Sequence, residues 1–274
     1  MTTKDLDAST RAIVIDPGVT LKLRRAGQDT GTVLWRDMIR TTRQPEMLAF
    51  AVVMGVFFLV LFNYVFGGAI GAGAGFDYLQ YLLPGVLVIT ALQGAQQTSM
   101  GLAADFNEGV NDRFRSLPMN QSAVITGRTI ADALRNIAGL VLVALIGMLM
   151  GFRFSSFGGA VVAIALAIGM GYGFSWLGAA IAAKVRQPDM VGMLSMFWLF
   201  PLMLASTAFA PVESMPGWLQ PLVRYQPISV ASDAVRGLVN GIPVGDRITL
   251  TLVWIAVLLV VFVPMSVRLY RKVS

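Results

Sequence analysis

Asp105-Phe-Asn-Glu-Gly-Val-Asn-Asp-Arg-Phe-Arg-Ser-Leu-Pro118 is a polar island between two apolar runs, and it continues through Met119-Asn-Gln-Ser-Ala-Val-Ile-Thr-Gly-Arg-Thr-Ile-Ala-Asp-Ala-Leu-Arg135. Phe106, Val110, Phe114 and Leu117 fall at i, i+4, i+8 and i+11, one face of a helix. Glu108, Asp112, Arg113 and Arg115 lie off that face. The spacing predicts a short amphipathic helix over 106–117, stopped by Pro118, and then the charged start of another apolar helix. If the flanking runs cross a membrane, this helix lies at its surface, where a partner can dock.

The composition supports that condition. The 274 residues are 56% hydrophobic and 13% charged, against about 25% charged in a soluble domain. Runs of about 20 apolar residues cross the hydrocarbon core at 1.5 Å per residue. The chain has no cysteine and no histidine. Disulfides, thiolate metal sites and imidazole chemistry are therefore excluded, and no metal site is expected. The net charge of +6 sits beside the apolar runs, where membrane orientation and anionic lipid account for it without nucleic acid.

Working outward, residues 1–29 read as a flexible, solvated tail, and residues 1–46 show no removable signal peptide. Thr30–Arg43 reads as an amphipathic interfacial helix, with Leu34, Trp35, Met38 and Ile39 on one side and Arg36, Arg40 and Arg43 on another. Six spans follow, at about 47–66, 79–103, 130–150, 158–183, 190–210 and 248–267. The fold class expected is an all-α integral membrane protein, with short re-entrant or interface-lying helices before the last span. Pro216-Gly-Trp-Leu-Gln-Pro221 is turn chemistry, and Pro227 opens a helix closed by Asn240-Gly241, with Asp233 and Arg236 at i and i+3. With both termini inside, 17 lysines and arginines lie on the inner side and four outside. The positive-inside rule then makes both ends cytoplasmic.

Several motifs carry two readings. There is no G-x-x-x-x-G-K-[ST], so the chain has no P-loop of its own. Gly71, Gly73 and Gly75 follow no strand and read as a flexible connection. An intramembrane protease needs a histidine or two facing aspartates; Asp77 and Asp132 lie at opposite ends of the bilayer. No catalytic residue is assigned. Thr90, Gln93, Gln96 and Gln97 form a polar stripe in the second span, which reads as interhelical hydrogen bonding or as part of a substrate path. Met193, Met196, Phe197, Trp198, Phe200 and Met203 in the fifth read as packing or as a surface for varied apolar ligands. Gly169-x-x-x-Gly173 reads as a packing face. Arg128, Asp132 and Arg135, at i, i+4 and i+7, read as a self-neutralising ladder rather than a proton relay.

The order of these features resembles the ABC-2 type permease family, and within it the daunorubicin-resistance-type exporters of actinobacteria. The resemblance is carried by Glu108-Gly109, Arg113, Arg115-Ser-Leu-Pro118, Ser122-Ala-Val-Ile-Thr-Gly-Arg128, Pro216-Gly-Trp-Leu-Gln-Pro221 and Gln226-Pro-Ile-Ser229. It makes residues 30–274 one transmembrane domain. It implies a dimer of identical or related permease subunits and two copies of a separate ATP-binding subunit, which holds ATP and magnesium; this chain carries no cofactor. It places ATPase coupling on Glu108, Gly109, Val110, Asp112, Arg113, Phe114, Arg115 and Leu117, flanked by Trp35, Arg36 and Arg40 of the interfacial helix. It implies a substrate path at the dimer interface, for which Asn63, Gln93, Gln96, Gln97, Met193, Phe197, Trp198 and Phe200 are candidates, and an outer gate at Trp218, Tyr225 and Gln226. The expected function is ATP-driven export of a hydrophobic or amphipathic drug or lipid across the bacterial cytoplasmic membrane. A carrier or channel working without an ATPase is the alternative, and a membrane scaffold a third.

Overall fold

The computed structural model describes residues 45–67, 77–107 and 121–273. The tail, the interfacial helix 30–43, the glycine run after residue 67 and the coupling segment from Glu108 onward lie outside the described residues. What is described is helical, with no strand among those residues. In chain order the elements are α1 (Pro45–Phe66), α2 (Tyr78–Asn107), α3 (Gln121–Leu149), α4 (Phe157–Val185) and α5 (Pro188–Leu204). A 3-10 turn at Val212–Ser214, α6 (Gln220–Tyr225), α7 (Pro227–Asn240) and α8 (Arg247–Val273) complete it.

Four stretches are long and apolar enough to cross a membrane: Tyr78–Asn107, Asp132–Leu149, Phe157–Val185 and Arg247–Leu269. Two shorter apolar helices accompany them, Val52–Val65 and Pro188–Leu204. The chain is a multi-pass membrane protein. The fifth helix ends at Leu204, short of the span expected to reach residue 210. Pro201 has no N–H to give its last turn, and Ala205 leaves helical geometry at φ −84° and ψ 48°.

The bundle is organised around α2. Every residue from Leu82 through Leu92 is buried, which a single lipid-facing helix cannot achieve. Packing partners surround it. Gly171 and Gly178 bring α4 so close that a Cβ at Gly171 would lie 2.6 Å from the Ala91 carbonyl, and one at Gly178 would overlap the Ser99 side chain. Gly169 and Gly173 serve a different neighbour, with Ile255 and Leu258 of α8 each 3.1 Å from an added Cβ. The small-xxx-small motif is thus a packing face, directed at α8, while glycines between and beyond it seat α2. The opposite face of α8 is open: Leu252, Val253, Val257, Val260 and Val261 are exposed, an apolar face suited to lipid contact.

The elements alternate between two ends. At one end the start of α2, the loop 151–156 and the stretch 205–246 gather: Ser155 donates its amide to the Val239 carbonyl at 2.8 Å, and Asn240 Nδ2 donates to the Gln80 carbonyl at 3.1 Å. At the other, Ala103, Ala182 and Val191 pack together, joining the end of α2 to the tight turn between α4 and α5. Arg186 makes that turn in the left-handed region at φ 60°, and Pro188 opens α5. Asp132 and Arg135, three turns into α3, are ion-paired one turn apart, as the ladder reading expects of these two; the side chain of Arg128, its third member, lies outside the described residues.

Candidate functional site

α7 begins at Pro227, whose fixed φ suits a first turn, and ends where Gly241 turns left-handed at φ 68°. Ten of its 14 residues are buried. It packs against α2, α4 and α8. A helix so placed must satisfy its polar groups with protein, because lipid offers no partners.

Arg236 organises this end. Its Nε donates to the Tyr81 carbonyl at 3.0 Å, Nη1 to Asp233 Oδ1 at 2.7 Å and Nη2 to the Thr207 carbonyl at 2.7 Å. The guanidinium carbon sits 3.6 Å from the centroid of the Tyr81 ring, a cation–π arrangement. One side chain therefore joins α7, the segment after α5, and α2. Thr207 Oγ1 is 2.8 Å from Asp233 Oδ1 and 3.3 Å from the Ser229 carbonyl, and the Thr207 amide donates to Ser229 Oγ at 3.0 Å. Tyr78 and Tyr81 donate their hydroxyls to the carbonyls of Phe209 and Thr207 at 2.7 and 2.8 Å. Gly85 lets the Ala208 backbone cross α2 at a distance no Cβ would permit. On the far side Arg247 reaches the Arg224 carbonyl at 2.8 Å and lies 4.0 Å from Asp233 Oδ2. Trp254 Nε1 donates to the Tyr225 carbonyl at 3.0 Å.

The three residues expected as a gate divide. Trp218 and Tyr225 are exposed. Gln226 is turned inward, with its amide nitrogen donating to the carbonyls of Leu202 and Ala205 and to Ser229 Oγ. It clamps the end of α5 to the start of α7. Gln226 Oε1 and Ser232 Oγ are buried without a protein partner among the described residues.

The path candidates also divide. Met193, Phe197 and Phe200 face outward from α5, Phe197 with 82% of its surface exposed. Val53, Phe57, Val60 and Tyr64 make a comparable apolar face on α1, where Asn63 is half-buried. Trp198 points the other way, stacked on Phe174 of α4 with ring centroids 5.4 Å apart. Gln96 Nε2 donates to the Gly192 carbonyl at 3.3 Å across the α2–α5 seam. One turn further along the antiparallel pair come Gln93 and Ser195. Gln93 Oε1, Ser195 Oγ and Trp198 Nε1 are buried with no protein partner among the described residues. Gln97 is half-buried. The polar stripe is thus partly glue, at Gln96, and partly unpaired, at Gln93. No charged side chain falls between Tyr78 and Ala104 of α2 or between Met190 and Leu204 of α5.

Sequence reasoning did not single out Thr207, Tyr81 or Asn136, the last donating to the Ala91 carbonyl at 3.1 Å, nor the hydrogen bonds that Ser229 and Asn240 make. The available signal was local: Ser206-Thr207 six residues after a helix proline, and two tyrosines three residues apart at a helix start.

The sequence matches the family model of the ABC-2 type transporter over residues 28–239. It is 39% identical to the daunorubicin resistance ABC transporter permease protein DrrB1 of Streptomyces coeruleorubidus, over 89% of this chain and 86% of that protein. It is 27% identical to the probable doxorubicin resistance ABC transporter permease protein DrrC of Mycobacterium tuberculosis, over 87% of each. Identity to a putative transport permease, ycf38, of Cyanophora paradoxa is 24% over 77% of this chain and 74% of the relative. With most of its length covered by the family model, its long apolar helices and its helical bundle, the chain belongs to the ABC-2 type transporter family.

Proposed function

We propose that this chain is the membrane subunit of an ATP-driven exporter that moves a hydrophobic or amphipathic drug or lipid outward across a bacterial cytoplasmic membrane. The observation that carries the reading is the 39% identity, over 89% of this chain, to a permease named for daunorubicin resistance. The side chains agree with it. The faces of α1 and α5 offer Phe57, Tyr64, Met193 and Phe197, beside neutral amides on α2. Such a lining suits an apolar molecule with a few hydrogen-bonding groups. It does not suit coupling to an ion, which needs charged groups near the midplane.

In this reading α1 and α5 count as the first and fifth of six spans, both termini are cytoplasmic, and the α7 end is outermost. Energy enters from a separate subunit that binds ATP and magnesium, two copies serving two permease chains. Its docking element is the helix expected over 106–117, with Arg113 and Phe114 at the centre of the contact and Trp35, Arg36 and Arg40 beside it. The substrate passes between the permease chains along Asn63, Gln93, Gln97, Met193, Phe197 and Phe200, and Trp218 and Tyr225 stand at the exit.

Co-purification with an ATP-binding subunit encoded nearby tests the coupling. Arg113→Glu with Phe114→Ala is expected to leave membrane insertion intact and abolish co-purification. Normal recovery of the subunit with that variant would overturn the assignment.

A further inference from the structure

An exporter must move some helices against others, and the hydrogen bonds divide the described residues unevenly. We propose that the outer hairpin, 205–240, is a fixed part of the α2 body. The moving piece is α5 from Pro188 to Pro201, hinged where Pro201 and Ala205 end it. The inference rests on the export reading and names the part of the bundle that carries its motion.

The hairpin is joined to α2 through Arg236 to Tyr81 at 3.0 Å, Asn240 to Gln80 at 3.1 Å and Tyr78 to Phe209 at 2.7 Å. It is joined to α8 through Trp254 to Tyr225 at 3.0 Å and Thr251 to Val230 at 3.4 Å. These bonds are directional, and breaking them in a dry setting strands polar groups. A flap that swung on every cycle would have to break all of them together.

α5 is held otherwise. Its side-chain hydrogen bond to α2 among the described residues is Gln96 to Gly192, at 3.3 Å. The rest of the seam is apolar, through Val191, Leu199 and Met203, and apolar contact survives sliding because it has no direction. Gln93 Oε1 on α2 and Ser195 Oγ on α5, each one turn from the Gln96–Gly192 bond, are buried without protein partners among the described residues, so moving α5 breaks no hydrogen bond made by these atoms. Pro201 cannot donate to the Phe197 carbonyl. Just beyond it Gln226 anchors Leu202 and Ala205. A helix held by apolar contact at its first turn, through Val191 against Ala103 and Ala182, and clamped past a proline bends at the proline.

The chain has no cysteine, so paired cysteines report without background. One pair is Gln80→Cys with Asn240→Cys, and the other is Gln96→Cys with Gly192→Cys. Each is crosslinked with a short reversible thiol reagent in membranes containing the ATP-binding subunit, with and without vanadate-trapped ATP. The 80/240 pair is expected to crosslink equally in both states, and ATP hydrolysis is expected to stay within about twofold. The 96/192 pair is expected to crosslink at least fivefold more in one state, and to stop hydrolysis until reduced. Adding Arg236→Ala to the 80/240 pair is expected to make its yield nucleotide-dependent, which identifies Arg236 as a positioning residue. A block of hydrolysis by the 80/240 crosslink, or equal yields at 96/192 in both states, overturns the inference while leaving the exporter reading standing. Absence of hydrolysis in the uncrosslinked variants overturns the exporter reading and the inference with it.

Discussion

The start and the middle of α2 meet their neighbours by opposite means. At its start Tyr78, Gln80, Tyr81 and Gly85 meet the α7 end through directional bonds and backbone contact. About three turns on, Gln96 meets α5 through one long hydrogen bond, and Gln93 Oε1 on α2 and Ser195 Oγ on α5 have no protein partner among the described residues. Both regions are apolar in composition and both are buried, so hydropathy does not separate them. The number of directional bonds does: the α7 end is held by many, although Gln226 Oε1 and Ser232 Oγ stay unpaired within it, while Gln96 makes the side-chain bond between α2 and α5 among the described residues. Each such bond in a membrane resists separation because lipid offers no replacement partner.

That contrast can be broken by substitution, and the largest effect is expected at Arg236. Arg236→Ala removes three hydrogen bonds and a cation–π contact while leaving Asp233 its contacts to Thr207 and Arg247, and should lower stability by roughly 3 kcal/mol, at the low end for breaking a buried ion pair. Thermal unfolding in detergent measures it. A loss under half that size would mean the hairpin is held by packing alone.

Gly171→Leu comes next. The added side chain must enter the space of the Ala91 backbone, and about 2 kcal/mol is expected from overpacking. The same assay checks it, and it separates helix packing from polar joints. Asn240→Ala should cost about 1 kcal/mol, one interhelical hydrogen bond.

The seam should respond in the reverse sense. Gln93→Leu removes an amide whose oxygen is unpaired, so stability is expected to hold or rise by up to about 1 kcal/mol, while stimulation of ATP hydrolysis by substrates changes. Phe197→Ala is the smallest in stability, within about 0.5 kcal/mol for an exposed side chain, and should also alter that stimulation. A large destabilisation at either position would erase the distinction between the two regions.

Much of this was legible beforehand, for stated physical reasons. Apolar length located α2, α4 and α8, because a span needs little more than hydrophobicity. Pro227, Asn240 and Gly241 bounded α7 through backbone preferences that act locally. Asp233 and Arg236 were visible as an i, i+3 pair. Their further partners were not. Tyr81 and Thr207 are 155 and 29 residues from Arg236 along the chain, and no local pattern encodes which carbonyl a guanidinium will find. The end of α5 was misjudged because the stretch to residue 210 stays apolar. Ser206 and Thr207, which bond across to Met203 and α7, interrupt it without changing its hydropathy. The inward turn of Gln226, beside exposed Tyr225, is likewise set by the carbonyls of Leu202 and Ala205.

The central claim is transport driven by a partner's ATP. Its most direct test is uptake of a fluorescent amphipathic drug into inverted vesicles containing this chain, with and without its ATP-binding subunit. Accumulation is expected only when both proteins and ATP are present, and it should vanish with Arg113→Glu and Phe114→Ala. Accumulation by the chain alone, driven by an ion gradient without ATP, would contradict the account.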